Sequence, residues 1–159
     1  MSNPRYGNNF IDANVLVDRT GGPEDVAVDM ILRLHEEGAF TLLLPYSVKA
    51  EIEHPNTPTD VKRKALQLNY SIPVQLTAQE LETHDRIRTL IRGNARPGQH
   101  DDDAFHLVES AKYGGRYFLT NDRRLLDKAP EIWEMLLIRT IKPSDFLAGY
   151  IAHANGAPA

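Results

Sequence analysis

Residues 101–122 read DDDAFHLVESAKYGGRYFLTND, and the fold follows from how this stretch divides. Ala104, Leu107, Val108 and Ala111 recur at i, i+3, i+4 and i+7, which lays one apolar stripe along a helix from Asp101 to Tyr113. Gly114 and Gly115 end that helix. Tyr117, Phe118 and Leu119 then form a short apolar run of the kind buried in a parallel sheet, and it leads straight into Thr120, Asn121 and Asp122. A helix, a glycine stop and an apolar strand that ends in an acid make up one unit of a layered α/β protein.

The same grammar extends in both directions. Upstream, Phe10-Ile11 and Val15-Leu16-Val17, interrupted by Asp12 and Asn14, predict a buried strand ending in polar residues. Val26, Met30, Ile31 and Leu34 predict a helix over Pro23 to Glu37, which Gly38 stops, and Phe40 to Leu44 follow as a second strand. Pro45 is placed to open a helix that carries Ser47 and Glu51 on one face. Pro55, Thr57, Pro58 and Thr59 mark a break before a basic helix from Asp60 to Leu68, and Ile72-Pro73-Val74 predicts a short or edge strand. Thr77-Ala78-Gln79-Glu80 is a capping box opening a helix to Ile91, and Arg92 to Gln99 forms a loop. Downstream, Arg123 to Lys128 predicts a short helix, Leu136-Leu137-Ile138 a last strand, and Pro143 the start of a helix to about Ala152. Strands alternating with helices predict an α/β fold with a central parallel sheet flanked by helices on both faces. Ligands of such sheets bind beyond the carboxyl ends of the strands.

A chain of 159 residues, 42% hydrophobic, is long enough for one sizeable core. The expectation is a single domain over 9–152, with a flexible N-terminus over 1–8 and a flexible tail over 153–159. The net charge of -4 argues against wholesale coating of nucleic acid, yet leaves room for a local basic groove. With no cysteine, disulfides, thiolate metal sites and thiol catalysis drop out, and any metal must be held by oxygen or imidazole. The first nine residues lack a signal-peptide core and no apolar run is long enough to span a bilayer, so a soluble, cytoplasmic protein is expected.

Four acids stand out, three of them where the strand-end rule puts a site. Asp12 and Asp122 lie just past apolar strands, Glu51 lies on the helix after the strand ending at Leu44, and Asp103 opens the helix before the strand that delivers Asp122. Two ionised carboxylates about 4 Å apart repel by roughly 4 kcal/mol at an effective dielectric of 20, so four that converge need cations. An oxygen donor set favours Mg²⁺, Mn²⁺ or Ca²⁺. Each acid also has a local reading. Asp101 to Asp103 would complement a helix dipole, Asp122 would cap the helix containing Leu125, and Glu51 would be a solvated helix acid. Asp12 is harder to assign locally, because a carboxylate inside an apolar strand costs several kcal/mol unless paired or bound to metal.

In order and context, the four acids resemble the motifs of the PIN-domain ribonuclease family, including its VapC-type toxins. Phe10-Ile11-Asp12-Ala13-Asn14 is similar to the opening motif, and Ser47-Val48-Lys49-Ala50-Glu51 to the second. Asp103-Ala104-Phe105-His106-Leu107, then Tyr117-Phe118-Leu119-Thr120-Asn121-Asp122, are similar to the third and fourth. The likeness covers about residues 9–148. It implies a Rossmann-like sheet, a pocket in which Asp12, Glu51, Asp103 and Asp122 bind Mg²⁺ or Mn²⁺, and cleavage of RNA phosphodiesters. Asn14, Ser47 and Thr120 would support the pocket. The chain departs from the compact toxin pattern in a longer middle, Pro55 to Gln99, and in Asp101 and Asp102 before the expected third acid, so Asp102 joins the supporting set.

In the mechanism this implies, Asp12, Asp122 and Asp103 hold the main ion, while Glu51 completes the site or orients the attacking water. Arg123, Arg124 and Arg96 form a candidate phosphate rim, with a solvated charged face as the alternative. His106 reads either as a helix-surface or packing histidine or as a contact to substrate or metal, His100 and His54 as loop residues, and Trp133 as core. The implied partners are RNA, an antitoxin protein and a second copy of the chain. Two other classes stay open. One is a phosphatase with Asp12 as nucleophile, although position 14 is Asn where that chemistry wants a second Asp. The other is a non-catalytic RNA-binding or scaffolding relative.

Overall fold

A computed structural model describes residues 1–18, 21–96, 98 and 100–156. Pro97 and Gln99 of the expected loop and positions 157–159 of the expected tail lie outside the described residues. Five strands form one sheet: β1 Asn8–Ile11, β2 Thr41–Leu44, β3 Asn69–Tyr70, β4 Gly115–Leu119 and β5 Arg139–Ile141. Their order is β3-β2-β1-β4-β5 and every pairing is parallel, so the chain builds outward from β1 in one direction, returns, and builds outward in the other. The place where it reverses lies between β1 and β4, the switch point at which open parallel sheets receive ligands.

Parallel pairing forces a crossover between each pair of strands, and helices supply it. These are α1 Pro23–Glu36, α2 Lys49–Glu53, α3 Thr59–Ala65, α4 Ala78–Arg92, α5 Asp101–Lys112, α6 Arg123–Asp127, α7 Ala129–Leu136 and α8 Pro143–Ala154. Strand side chains alternate between two buried layers. Ile11, Leu42, Tyr117 and Leu119 pack with α1, α3 and α8, whereas Phe10 and Phe118 pack with α4, α5 and α7. The sheet is therefore covered on both faces, as the sequence predicts. Gly115 opens β4 because α5 passes so close above it. A Cβ there would meet the Ser110 carbonyl oxygen at 2.7 Å and the Phe10 ring at 2.8 Å. Ahead of β1, the chain of residues 1–7 lies against the domain: Asn9 donates its amide to the Pro4 carbonyl at 2.9 Å, and His153 Nε2 bonds the Met1 carbonyl at 2.9 Å.

Four expectations need correction. The first strand stops at Ile11, and Ala13–Leu16 form a 3₁₀ turn that tucks Val15 and Leu16 into the core, so their apolarity reflects burial and not a strand. The third strand is Asn69–Tyr70, not Ile72–Val74: its last sheet bond runs from Ser71 N to Leu44 O at 2.8 Å, Ile72 is 64% exposed, and Pro73 has no N–H to offer a ladder. Leu136 belongs to α7 and not to a strand. Leu137 turns the chain in a left-handed conformation at φ 55°, and β5 begins only at Arg139. Trp133, expected in the core, is half-exposed on α7 with the Arg139 guanidinium 4.5 Å from its ring.

Candidate metal centre

β1 and β4 run side by side, with Ile11 level with Leu119, so the residues that follow them emerge together. Asp12 and Thr120 are both buried there. The Thr120 hydroxyl donates to Asp12 Oδ2 at 3.2 Å and accepts from Asn14 Nδ2 at 3.3 Å and from Asp122 N at 3.1 Å. Asn14 Nδ2 also reaches Asp12 Oδ2 at 3.3 Å, and its Oδ1 accepts from Asn121 N at 3.2 Å. One threonine and one asparagine thus fix the carboxylate and join the two strand ends.

Those bonds do not make Asp12 comfortable as an anion. Burial pushes its pKa from 3.8 up to about 7; Asp103 and Glu51 add to the push, while His106 and the Thr120 hydrogen bond oppose it. Asp103, on the first turn of α5, is also raised, by burial first and then by Asp122, against the hydrogen bond from His100. The ligand atoms that fall together among the described residues are those of His100, Asp103 and Asp122; Asp12 and Glu51 lie outside that group and are linked to it through charge, Asp103 and Glu51 acting on Asp12 and Asp122 on Asp103.

The four acids stand differently. Asp122 caps α6, its Oδ1 accepting from Arg124 N at 2.9 Å, so the local role open to it in the sequence is present. Asp103 and Asp122 come together with His100, whose Nδ1 is 3.3 Å from Asp103 Oδ2; one ligand atom from each of the three falls within 4.8 Å of the others. Glu51, on α2, is half-exposed, and its Oε2 lies 3.1 Å from His106 Nε2. Ser47, just ahead of α2, donates its hydroxyl to Glu109 Oε1 at 2.8 Å and sits 2.6 Å from His106 Nδ1. Asp102 points outward, exposed, while Asp101 lies 3.9 Å from Arg88.

The basic rim divides in the same way. Arg124 gives its guanidinium to the carbonyls of Ile91 and Arg92, at 3.2 and 2.7 Å, and so closes the C-terminus of α4. Arg123 is exposed with Asp127 at 3.9 Å, and Arg96 is exposed.

Three residues of the centre go beyond the expected set. His106 is 2% exposed and bridges Ser47 to Glu51, so it is neither a surface nor a simple packing histidine. Its spacing of three from Asp103, one helical turn, is the signal that pointed to it. His100 takes a left-handed backbone at φ 67°, and its Nδ1 faces Asp103, a turn that no periodicity in the sequence signals. Glu109 is buried on the face of α5 away from the apolar stripe, where it bonds Ser47 and where the stripe alone predicts a solvated acid.

A divalent cation fits this donor set. The ligand atoms are carboxylate oxygens and one imidazole nitrogen, and the acids carry a charge that burial makes expensive without a counter-ion. Fold and site together define an α/β protein with an acidic, hydrogen-bonded centre at the switch point of a parallel sheet. Set against protein-family models, curated proteins and solved structures, the chain finds no match in any of the three.

Proposed function

We propose that this chain is a metal-dependent endoribonuclease of the PIN-domain kind. The observation that carries the reading is Asp12, a buried carboxylate fixed between two strand ends, its pKa driven to about 7 by burial with Asp103 and Glu51 adding to it. Evolution toward stability alone would replace such a group; a role in holding a cation accounts for it. Asp12, Asp103 and Asp122 would hold Mg²⁺ or Mn²⁺, with His100 beside them. A bound ion would acidify water and neutralise charge on a phosphodiester.

The chain's own residues supply the rest. Thr120 and Asn14 orient Asp12, and His106 orients Glu51. Glu51 keeps a half-exposed carboxylate from which to direct a water or substrate hydroxyl. Arg123 and Arg96, both exposed, are free to meet backbone phosphates, while Arg124 serves the fold. An antitoxin-like inhibitor that inserts a cation among the acids, and a homodimer, belong to the same proposal. Co-expression with the neighbouring reading frame and light scattering test them. Among the described residues no helix is long and apolar enough to cross a membrane.

The direct test incubates the pure protein with a total-RNA pool and Mg²⁺ or Mn²⁺, beside Asp12→Asn. Cleavage by the wild type should fall at least about a hundredfold in the variant, roughly 3 kcal/mol of barrier. Undiminished cleavage by a folded Asp12→Asn protein overturns the assignment.

A further inference from the structure

Beside the acids, along the same carboxyl edge of the sheet, β5 ends next to β4, and Thr120 N bonds the Ile141 carbonyl at 3.0 Å. A cleft of about 380 Å³ opens there between α6, the end of β5 and the first turn of α8, a volume in the range of small-molecule sites. Thr140 lines it and is 5% exposed, yet its hydroxyl has no hydrogen-bond partner among the described residues. A buried hydroxyl left unpaired works against the fold unless a guest satisfies it. Leu126 and Ile141 add a half-buried apolar lining, and the exposed Arg123, Asp127, Lys142 and Asp145 surround it. Arg123 stands 3.9 Å from Asp127, whereas Lys142 and Asp145 form no ion pair among the described residues.

A bare anion does not suit this lining, because Asp127 and Asp145 would repel it. A nucleotide does. The cations match its phosphate, and the apolar side chains match the flat face of its base. A carboxylate only accepts, so the base has to bring donors. Guanine brings two on adjacent atoms, N1–H and N2–H, which match the two oxygens of one carboxylate, and its O6 accepts from a hydroxyl. Arg123 directly follows Asp122, so a nucleotide in the cleft lies next to the one at the acids. We propose that the cleft is a guanosine subsite for the RNA strand cut there, with Lys142 and Arg123 on its phosphate and Asp145 and Thr140 on its base edge. The inference rests on the nuclease reading of the acids and adds a base preference to it.

Titrating the full chain in chelator with guanosine 5′-monophosphate, uridine 5′-monophosphate and inorganic phosphate, followed by amide nuclear magnetic resonance, tests the site apart from catalysis. The guanosine nucleotide should bind at least about fivefold more tightly than the other two and shift the amides of Thr140 to Lys142. Thr140→Val should weaken it about fivefold while melting no lower than the wild type, because the fold makes no use of that hydroxyl. A structural role for Thr140 would instead lower the melting temperature. Asp145→Asn should erase the preference for guanosine, and Lys142→Gln should weaken both nucleotides alike. With Mg²⁺ or Mn²⁺ restored, cuts in the RNA pool should carry a guanosine at one fixed position from the junction. Equal or reversed affinities, no binding of any probe, or cuts without such a guanosine overturn the inference and leave the nuclease reading in place. Preferential binding of the guanosine nucleotide without any RNA cleavage keeps the nucleotide site and refutes the nuclease reading.

Discussion

At the start of α4, Glu80 is partly exposed. Its Oε1 accepts from Lys112 Nζ at 2.7 Å and from Thr77 N at 2.8 Å, and these bonds, that of Lys112 first, hold its pKa down at about 2. At the carboxyl ends of β1 and β4, Asp12 is buried, and its pKa rises to about 7 because burial outweighs its partners. Both acids accept hydrogen bonds; what differs is burial first and the charge around them second. Glu80 meets a cation and a helix N-terminus, so its ionisation favours the fold. Asp12 meets Asp103 and Glu51 with His106 as partial relief, so its ionisation works against the fold. The first arrangement completes a helix, and the second leaves a demand that a divalent ion can meet.

The contrast breaks first at Asp12. Its folded pKa lies above its unfolded one, so its contribution to stability is fully present below about pH 4 and is lost as pH rises through about 7. A shift of that size corresponds to a few kcal/mol, about 1.4 per unit. The metal-free protein should therefore melt lower at pH 8 than at pH 5, millimolar Mn²⁺ should restore it, and Asp12→Asn should flatten the profile. Thermal melts across that range check all three; a metal-free wild type whose melting temperature is as high at pH 8 as at pH 5 would remove the argument for an ion.

Thr120→Val keeps the volume but deletes the hydroxyl shared by Asp12, Asn14 and the Asp122 N–H. Leaving those groups unpaired should cost about 1–3 kcal/mol and also lower cleavage, and urea melts beside an activity assay measure the two losses. At the other pole, Thr77→Ala removes the acceptor for Glu80 N and should cost about 1 kcal/mol with cleavage unchanged. The pH dependence there runs in the opposite direction. Glu80 has a depressed pKa, so its stabilisation is present above its unfolded value of 4.5 and fades as pH falls toward about 2, a change that acid melts of Glu80→Gln against wild type resolve.

The two regions also differ in how far they can be read from sequence. The capping box of α4 is local: Thr77 and Glu80 are three apart, and their bonds follow from that spacing. The periodicity of 101–122 and the apolar runs at 10–11 and 41–44 were equally local, and they yield a parallel α/β sheet with acids at its strand ends. What failed was the placement of short elements whose apolar residues pack into the core without being strands, such as the buried Val15 and Leu16 and the partly buried Leu136. The α7 helix has the apolar spacing Ile132, Met135 and Leu136, but its few turns next to α6 merge with the neighbouring strand signal. In the centre, the acids could be nominated because strand ends are visible in sequence. The Ser47–His106–Glu51 link joins α5 to the segment after β2, 59 residues apart, and no periodicity reports a contact at that distance.

The chemistry of the RNA ends left by the wild-type protein bears most directly on the central claim. If the acids work through a divalent ion and an attacking water, cleavage of the RNA pool should depend on Mg²⁺ or Mn²⁺, stop in chelator, and leave a phosphate monoester and a hydroxyl at every new junction. Junctions bearing 2′,3′-cyclic phosphates, or cutting that continues in chelator, would contradict a metal-dependent hydrolytic centre built on Asp12.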